Sequence, residues 1–377
     1  MKLELGRVLF HLSPKGREGL AAVFTGAAIL FASATLACAE TDHAAIARAA
    51  LTEVIHPGYA ALANETAALS EKVGALCEAP SVASLDAARQ AFAAAVVAWS
   101  KVEILRFGPI VADRRYERLF FWPDPKGLGD RQIRDALAKR DESVTKPEAL
   151  SGKSVALQGL PALEYLLYGD GAEALAAPSD TTAFRCAFAH AAAANSAGIA
   201  KSVAEDWREG SPDERSFLAP GPDAHAYRAP KEVTLDLFKA FTAGIELVRD
   251  QKLGKPLGAS PEEARPKLAA VWRSGQSLAN AAGNLEGIRA LFAKGGLAQV
   301  VAGDSPGVEK SVLFDLGHAI EVLSGIGKPM AEVAVDADLR GKIEALRVSL
   351  KSAGKTAADA IARGAGLAFG FNAMDGD

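Results

Sequence analysis

Two short stretches combine residue types that can hold a metal ion or an anionic ligand. Gly317-His318-Ala319-Ile320-Glu321 sets an imidazole and a carboxylate three residues apart. On a helix that spacing puts both side chains on one side. A neutral imidazole beside a carboxylate suits iron, zinc, copper or manganese. Gly159-Leu160-Pro161-Ala162-Leu163-Glu164 repeats the frame with proline at the histidine position. The same spacing also occurs on plain solvated helix faces. His318 and Glu321 are therefore either ligands or a local pair.

Trp99, Glu103 and Arg106 form a second group. Steps of four and three place them on one stripe of a predicted helix, which Gly108-Pro109 ends. Either Glu103 and Arg106 are a helix-end ion pair, with Arg106 favoured by the C-terminal dipole, or Glu103 faces a site and Arg106 holds it. Glu164 sits in the apolar turn Leu163-Glu164-Tyr165-Leu166-Leu167. A buried, unpaired carboxylate is costly or becomes protonated, so Glu164 needs an Arg, a hydroxyl or a metal. Asp124 follows Phe120-Phe121-Trp122-Pro123 and either turns a carboxylate inward or forms a turn. His56, before Pro57-Gly58, marks a bend and is a further candidate ligand.

Some chemistries have no motif here. The chain lacks His-Glu-x-x-His, a glycine-rich phosphate loop and a Gly-x-Ser-x-Gly elbow. There is no basic tract with interleaved aromatics, so nucleic acid is not an expected partner.

The elements that must position these residues are helical. Alanine and leucine recur at helical spacing and no convincing alternating strand occurs. The expectation is an all-α protein of two related helical bundles, about four main helices each, from an internal duplication. Helices are predicted over about 42–76, bent near Pro57, and from a Ser84 N-cap to Phe107. Further helices are predicted over 153–168, 180–208, 231–252, 261–281, 285–294, 309–326 and 335–365. Trp99 aligns with Trp272, Leu119-Phe120 with Leu291-Phe292, and Glu164 with Glu321. The expected division is an export signal at 1–39, a bundle at 40–215, a linker at 216–230 and a bundle at 231–377.

The export signal rests on Lys2, Arg7, Lys15 and Arg17, an apolar run from Leu20 to about Ala32, and Ala37-Cys38-Ala39 as cleavage site. The run is short for a membrane span. Lipid attachment at Cys38 is the weaker alternative, because Thr35 stands where leucine is usual. The formal net charge of −4 becomes more acidic once the basic leader is removed. Cys77 and Cys186 remain, and in an oxidising compartment they either pair or stay apart.

Several of these stretches resemble the imelysin-like family of exported bacterial proteins: Trp99, Glu103 to Pro109, Phe121 to Asp124, Gly159 to Leu167, Trp272-Arg273, Asn284 to Gly287, and Gly370 to Asp377. The family signature is Gly-x-His-x-x-Glu. Here Gly159 and Glu164 are kept and Pro161 replaces the histidine. The resemblance implies two helical bundles with a site near their interface, a periplasmic location and a link to iron uptake. It also carries a peptidase classification, which Pro161 puts in doubt because a hydrolytic zinc site needs three protein ligands. The combined reading is a periplasmic, non-enzymatic protein that binds a divalent metal (iron, zinc or copper) or a metal-containing ligand during iron acquisition, with an iron-transport partner. Trp99, Glu103, Arg106, Asp124 and Glu164 would bind the ligand. Glu164, His318, Glu321 and His56 would hold the metal. The alternatives are a metallopeptidase and a non-metal ligand- or partner-binding module.

Overall fold

The apolar helical pattern is carried into helices throughout the computed structural model, which describes residues 41–367 and contains no strand among them. The chain is thus all-α. Residues 41–367 belong to one compact unit. The expected export signal and the stretch Gly370 to Asp377 lie outside the described residues.

The first half opens with α1 (His43–Ala50), a π-helical turn (Leu51–Ile55) and α2 (His56–Glu78), which run as one rod. The π turn precedes His56-Pro57, and its wider hydrogen-bonding pattern absorbs the donor that proline lacks. Next comes α3 (Val82–Val102). Its N-cap is Ser81, not Ser84. Ser84 instead closes the reciprocal capping box three residues on. The helix ends at Val102, five residues before the predicted stop, and Glu103 becomes its C-cap. There follow α4 (Leu128–Lys139), α5 (Gly159–Tyr168), α6 (Asp180–Asp206) and α7 (Pro212–Leu218). α2 packs on α3 and α6, and α5 packs on α3 and α6. A Cys77–Cys186 disulfide joins α2 to α6.

The second half contains α8 (Pro230–Glu246), a second π segment (Leu247–Gly254), α9 (Ser277–Ala293), α10 (Leu297–Asp304), α11 (Val308–Gly325) and α12 (Ala337–Gly364). α9 packs on α8 and α11, and α12 packs on α8, α10 and α11. The predicted helix over 261–281 is absent. Pro261 and Pro266 each open a short 3-10 turn, and the chain turns again at 270–275 with Val271 at φ 46. Trp272 therefore sits in a turn while Trp99 sits in α3, so this landmark pair does not occupy equivalent elements.

α3 and α9 join the halves. Two glycines let them approach. A Cβ on Gly287 would lie 2.1 Å from the Lys101 carbonyl oxygen, and one on Gly283 would lie 2.2 Å from Ser100 Oγ. That contact sets Asn284 against the end of α3, where Asn284 Nδ2 donates to the Ser100 carbonyl at 2.7 Å.

Candidate functional site

Where α3 ends, the chain buries an ion pair. Lys252, on the second π segment, donates from Nζ to Glu103 Oε2 at 2.6 Å. Both side chains are 1% exposed. Lys252 also donates to Asn280 Oδ1, and Asn284 Nδ2 donates to Glu103 Oε2 at 3.0 Å. Burial pulls the Lys252 amine below its ordinary range, and the Glu103 charge offsets this in part. Trp99 is fully buried beside the pair. Its ring stacks on Phe120 at 5.7 Å and meets Tyr116 edge-on at 5.1 Å. Arg106 does not hold Glu103. It is exposed, donates to the Tyr116 hydroxyl at 2.6 Å and lies over that ring. Early termination of α3 breaks the stripe that put Arg106 below Glu103.

Phe120 and Trp122 lead from this pair to a cleft of about 320 Å³. The first half lines it with residues from Phe120 to Ile133 and from Ala156 to Glu164. The second half closes it with Gln251, Lys255 and the stretch from Lys267 to Arg273. Trp122 Nε1 ties the halves by donating to the Leu268 carbonyl at 3.2 Å.

The floor comes from α5. Gly159 starts this helix at φ +73, where a Cβ would lie 2.3 Å from the Leu119 carbonyl oxygen. Pro161 fits the first turn, where backbone donors have no intrahelical partner. Arg185 holds the other end by donating to the carbonyls of Tyr165 and Leu166, each at 2.8 Å. Between them Glu164 is buried and borders the cleft. Its Oε1 accepts from the Ser274 backbone N–H and from Ser274 Oγ, each at 2.9 Å. Oε2 lies 4.0 Å from Arg273 Nη1. Burial pushes this carboxyl above the usual carboxylate range, and the Ser274 donors and the Arg273 charge pull it partly back. The partner expected for Glu164 is thus a hydroxyl and an arginine.

Arg273 itself pairs with Asp130 and lies over Trp272 at 4.3 Å and Tyr165 at 5.1 Å. Asp124 lines the cleft as a turn-former. Its two oxygens accept from the backbone N–H groups of Leu128 (2.9 Å) and Gly129 (2.7 Å) at the start of α4.

The expected metal set is not assembled. Among the described residues no group of three or more His, Cys, Asp or Glu side chains is placed to hold a metal ion. His318 and Glu321 are exposed on α11, and the His318 ring stacks on exposed Phe314 at 6.3 Å. His56 Nε2 is 2.6 Å from the Trp207 carbonyl oxygen. With that oxygen as acceptor, Nε2 carries the proton and is not free to bind a metal. Glu164 is occupied by Ser274. The donor set of the described residues does not fit a protein-coordinated divalent ion.

Sequence reasoning missed Lys252, Asp130, Lys267 and Ser274. Lys252 stands among Arg249, Asp250 and Gln251, so the sequence from Leu247 to Leu253 does not set it apart as a buried lysine. Lys267 and Ser274 lie in the segment 261–281 that was expected to be helical, and Asp130 sits in the first turn of α4, where an acid at a helix start carries no signal of a site. No helix among the described residues is long and apolar enough to cross a membrane.

The Imelysin family model, Peptidase M75, matches residues 55–356. No curated protein matches the chain. Among solved structures, an imelysin-like protein from Psychrobacter arcticum is similar at TM-score 0.71 and 18% identity, covering 87% of this chain and 97% of that one. A protein from Parabacteroides distasonis, described under the name iron-regulated protein A precursor, is similar at TM-score 0.69 and 16% identity, covering 85% and 95%. At such identities the likeness is one of fold. The family match spans most of the described residues, from the end of the first π turn into α12, and the chain belongs to the imelysin family.

Proposed function

We propose that this protein is exported to the periplasm and serves iron acquisition by holding a metal-containing small ligand in the cleft between its halves. The observation that carries this reading is the placement of the family signature. Pro161, Ala162 and Glu164 of that signature line a cleft that Trp272 and Arg273 close from the other half, yet the carboxylates there are already engaged. Such a site suits a metal that arrives with its own ligands better than a bare ion. The iron-regulated description of the Parabacteroides relative and the basic, apolar and small-residue order of the leader support the iron and export parts. The internal duplication and the two-domain division belong to the same proposal. Superposition of the two halves with a common helix order is their test.

The experiment is calorimetric titration of residues 40–377, purified without an affinity tag. A ferric chelate should bind one to one, and Lys255→Gln with Lys267→Gln should weaken it. One-to-one binding of free ferrous, zinc or copper ion with no binding of any ferric chelate would sink the proposal.

A further inference from the structure

We propose that the ligand of this cleft is a planar aromatic anion, which deepens the reading above and rests on it. Two partly exposed rings of the wall, Trp122 and Trp272, carry protein cations, and buried Phe120 behind them shares the Lys252 ammonium. Lys252 Nζ lies 5.5 Å from the centroid of the Phe120 ring and 5.3 Å from that of Trp122. Arg273 lies 4.3 Å from the Trp272 ring and Lys267 Nζ 5.4 Å from it. A cation draws the negative potential of a ring toward itself. The remaining faces and edges are then less negative. They favour an electron-rich or anionic ring and disfavour a cationic guest.

The polar groups agree. Among the described residues neither Lys255 nor Lys267 makes an ion pair, and both are exposed at the cleft. The acids are engaged: Asp124 by backbone N–H groups, Asp130 by Arg273, and Glu164 by Ser274. An incoming anion therefore meets ammonium groups that no acid neutralises, while an incoming cation finds no free carboxylate pair. Pro161 adds an apolar surface on the floor. A cleft of about 320 Å³ holds a ligand with one or two rings.

The test is calorimetric titration of residues 40–377 with metal-free probes: 2,3-dihydroxybenzoate, its neutral amide, citrate and phenyltrimethylammonium. Dihydroxybenzoate should bind at least about tenfold tighter than each of the others. Lys255→Gln with Lys267→Gln should remove most of that preference, and both positions are exposed, so folding should be unaffected. Citrate, the amide or the cation binding as tightly as dihydroxybenzoate overturns the proposal, as does no binding of dihydroxybenzoate. The two readings separate cleanly. Ferric citrate binding without dihydroxybenzoate binding keeps the metal-chelate function and removes the aromatic class. Dihydroxybenzoate binding with no binding of any ferric chelate does the reverse.

Discussion

Lys252 and Glu103 meet at 2.6 Å across the two halves of the chain, each 1% exposed. The pair lies behind the aromatic wall of the cleft, because the same ammonium faces Phe120 and Trp122. It fixes the second π segment against the end of α3 and so sets the wall's position. A buried pair gains its value from being complete, since either partner alone is an uncompensated charge.

Lys252→Met should therefore cost about 3–5 kcal/mol of stability by stranding Glu103. The double change Lys252→Met with Glu103→Leu should recover much of that loss. Urea unfolding of the two singles and the double measures it. Additive losses would mean that the two side chains do not act as a pair.

Glu164 gives a pH signature. Its carboxyl is raised by burial, so the folded chain holds its proton to higher pH than the unfolded chain does. Its contribution to stability is present at low pH and is lost as pH rises through the raised value. Glu164→Gln keeps an oxygen for Ser274 and removes the titration. As pH rises from about 4, the ordinary carboxylate range, the difference in Tm should move in favour of the variant and level off once the raised value is passed. A difference that stays constant, or moves the other way, would contradict the burial of this carboxyl.

The disulfide closes a long loop, with Cys77 and Cys186 at a sequence separation of 109. Cys77→Ser with Cys186→Ser should lower stability by about 2–5 kcal/mol. Thermal unfolding with and without reductant checks it. Reductant should lower the Tm of the native chain and leave that of the variant unchanged.

Pro161 can be replaced by the histidine that a Gly-x-His-x-x-Glu frame would hold. Pro161→His would set an imidazole three residues before Glu164 on α5. The variant should gain a thermal shift with zinc or copper that a chelator reverses, and the native chain should show none. A variant without that shift would mean that Glu164, held by Ser274, is not released to a metal.

Much of the fold was legible because helical periodicity and Gly-Pro breaks report local structure directly. α6, α11 and α12 fall close to where the pattern puts them. The failures have local causes. The pattern over 261–281 counted apolar residues and underweighted Pro261 and Pro266. Glu164 was legible as a carboxylate needing a partner because apolar residues flank it on both sides. Its partner was not, since Ser274 lies 110 residues away in the sequence. His318 and Glu321 misled because spacing fixes a shared helix side and not which side faces the core. Glu103 was found with the wrong partner. A helix stripe names Arg106, whereas the fold supplies Lys252 from the other half.

The most direct measurement is equilibrium dialysis of residues 40–377 against iron, offered as a ferric chelate and, separately, as free ferrous ion. Iron should be retained from the chelate, with chelator and metal bound in equal amounts to one protein, and not from the free ion. Iron retained without chelator would contradict a cleft that takes its metal already ligated.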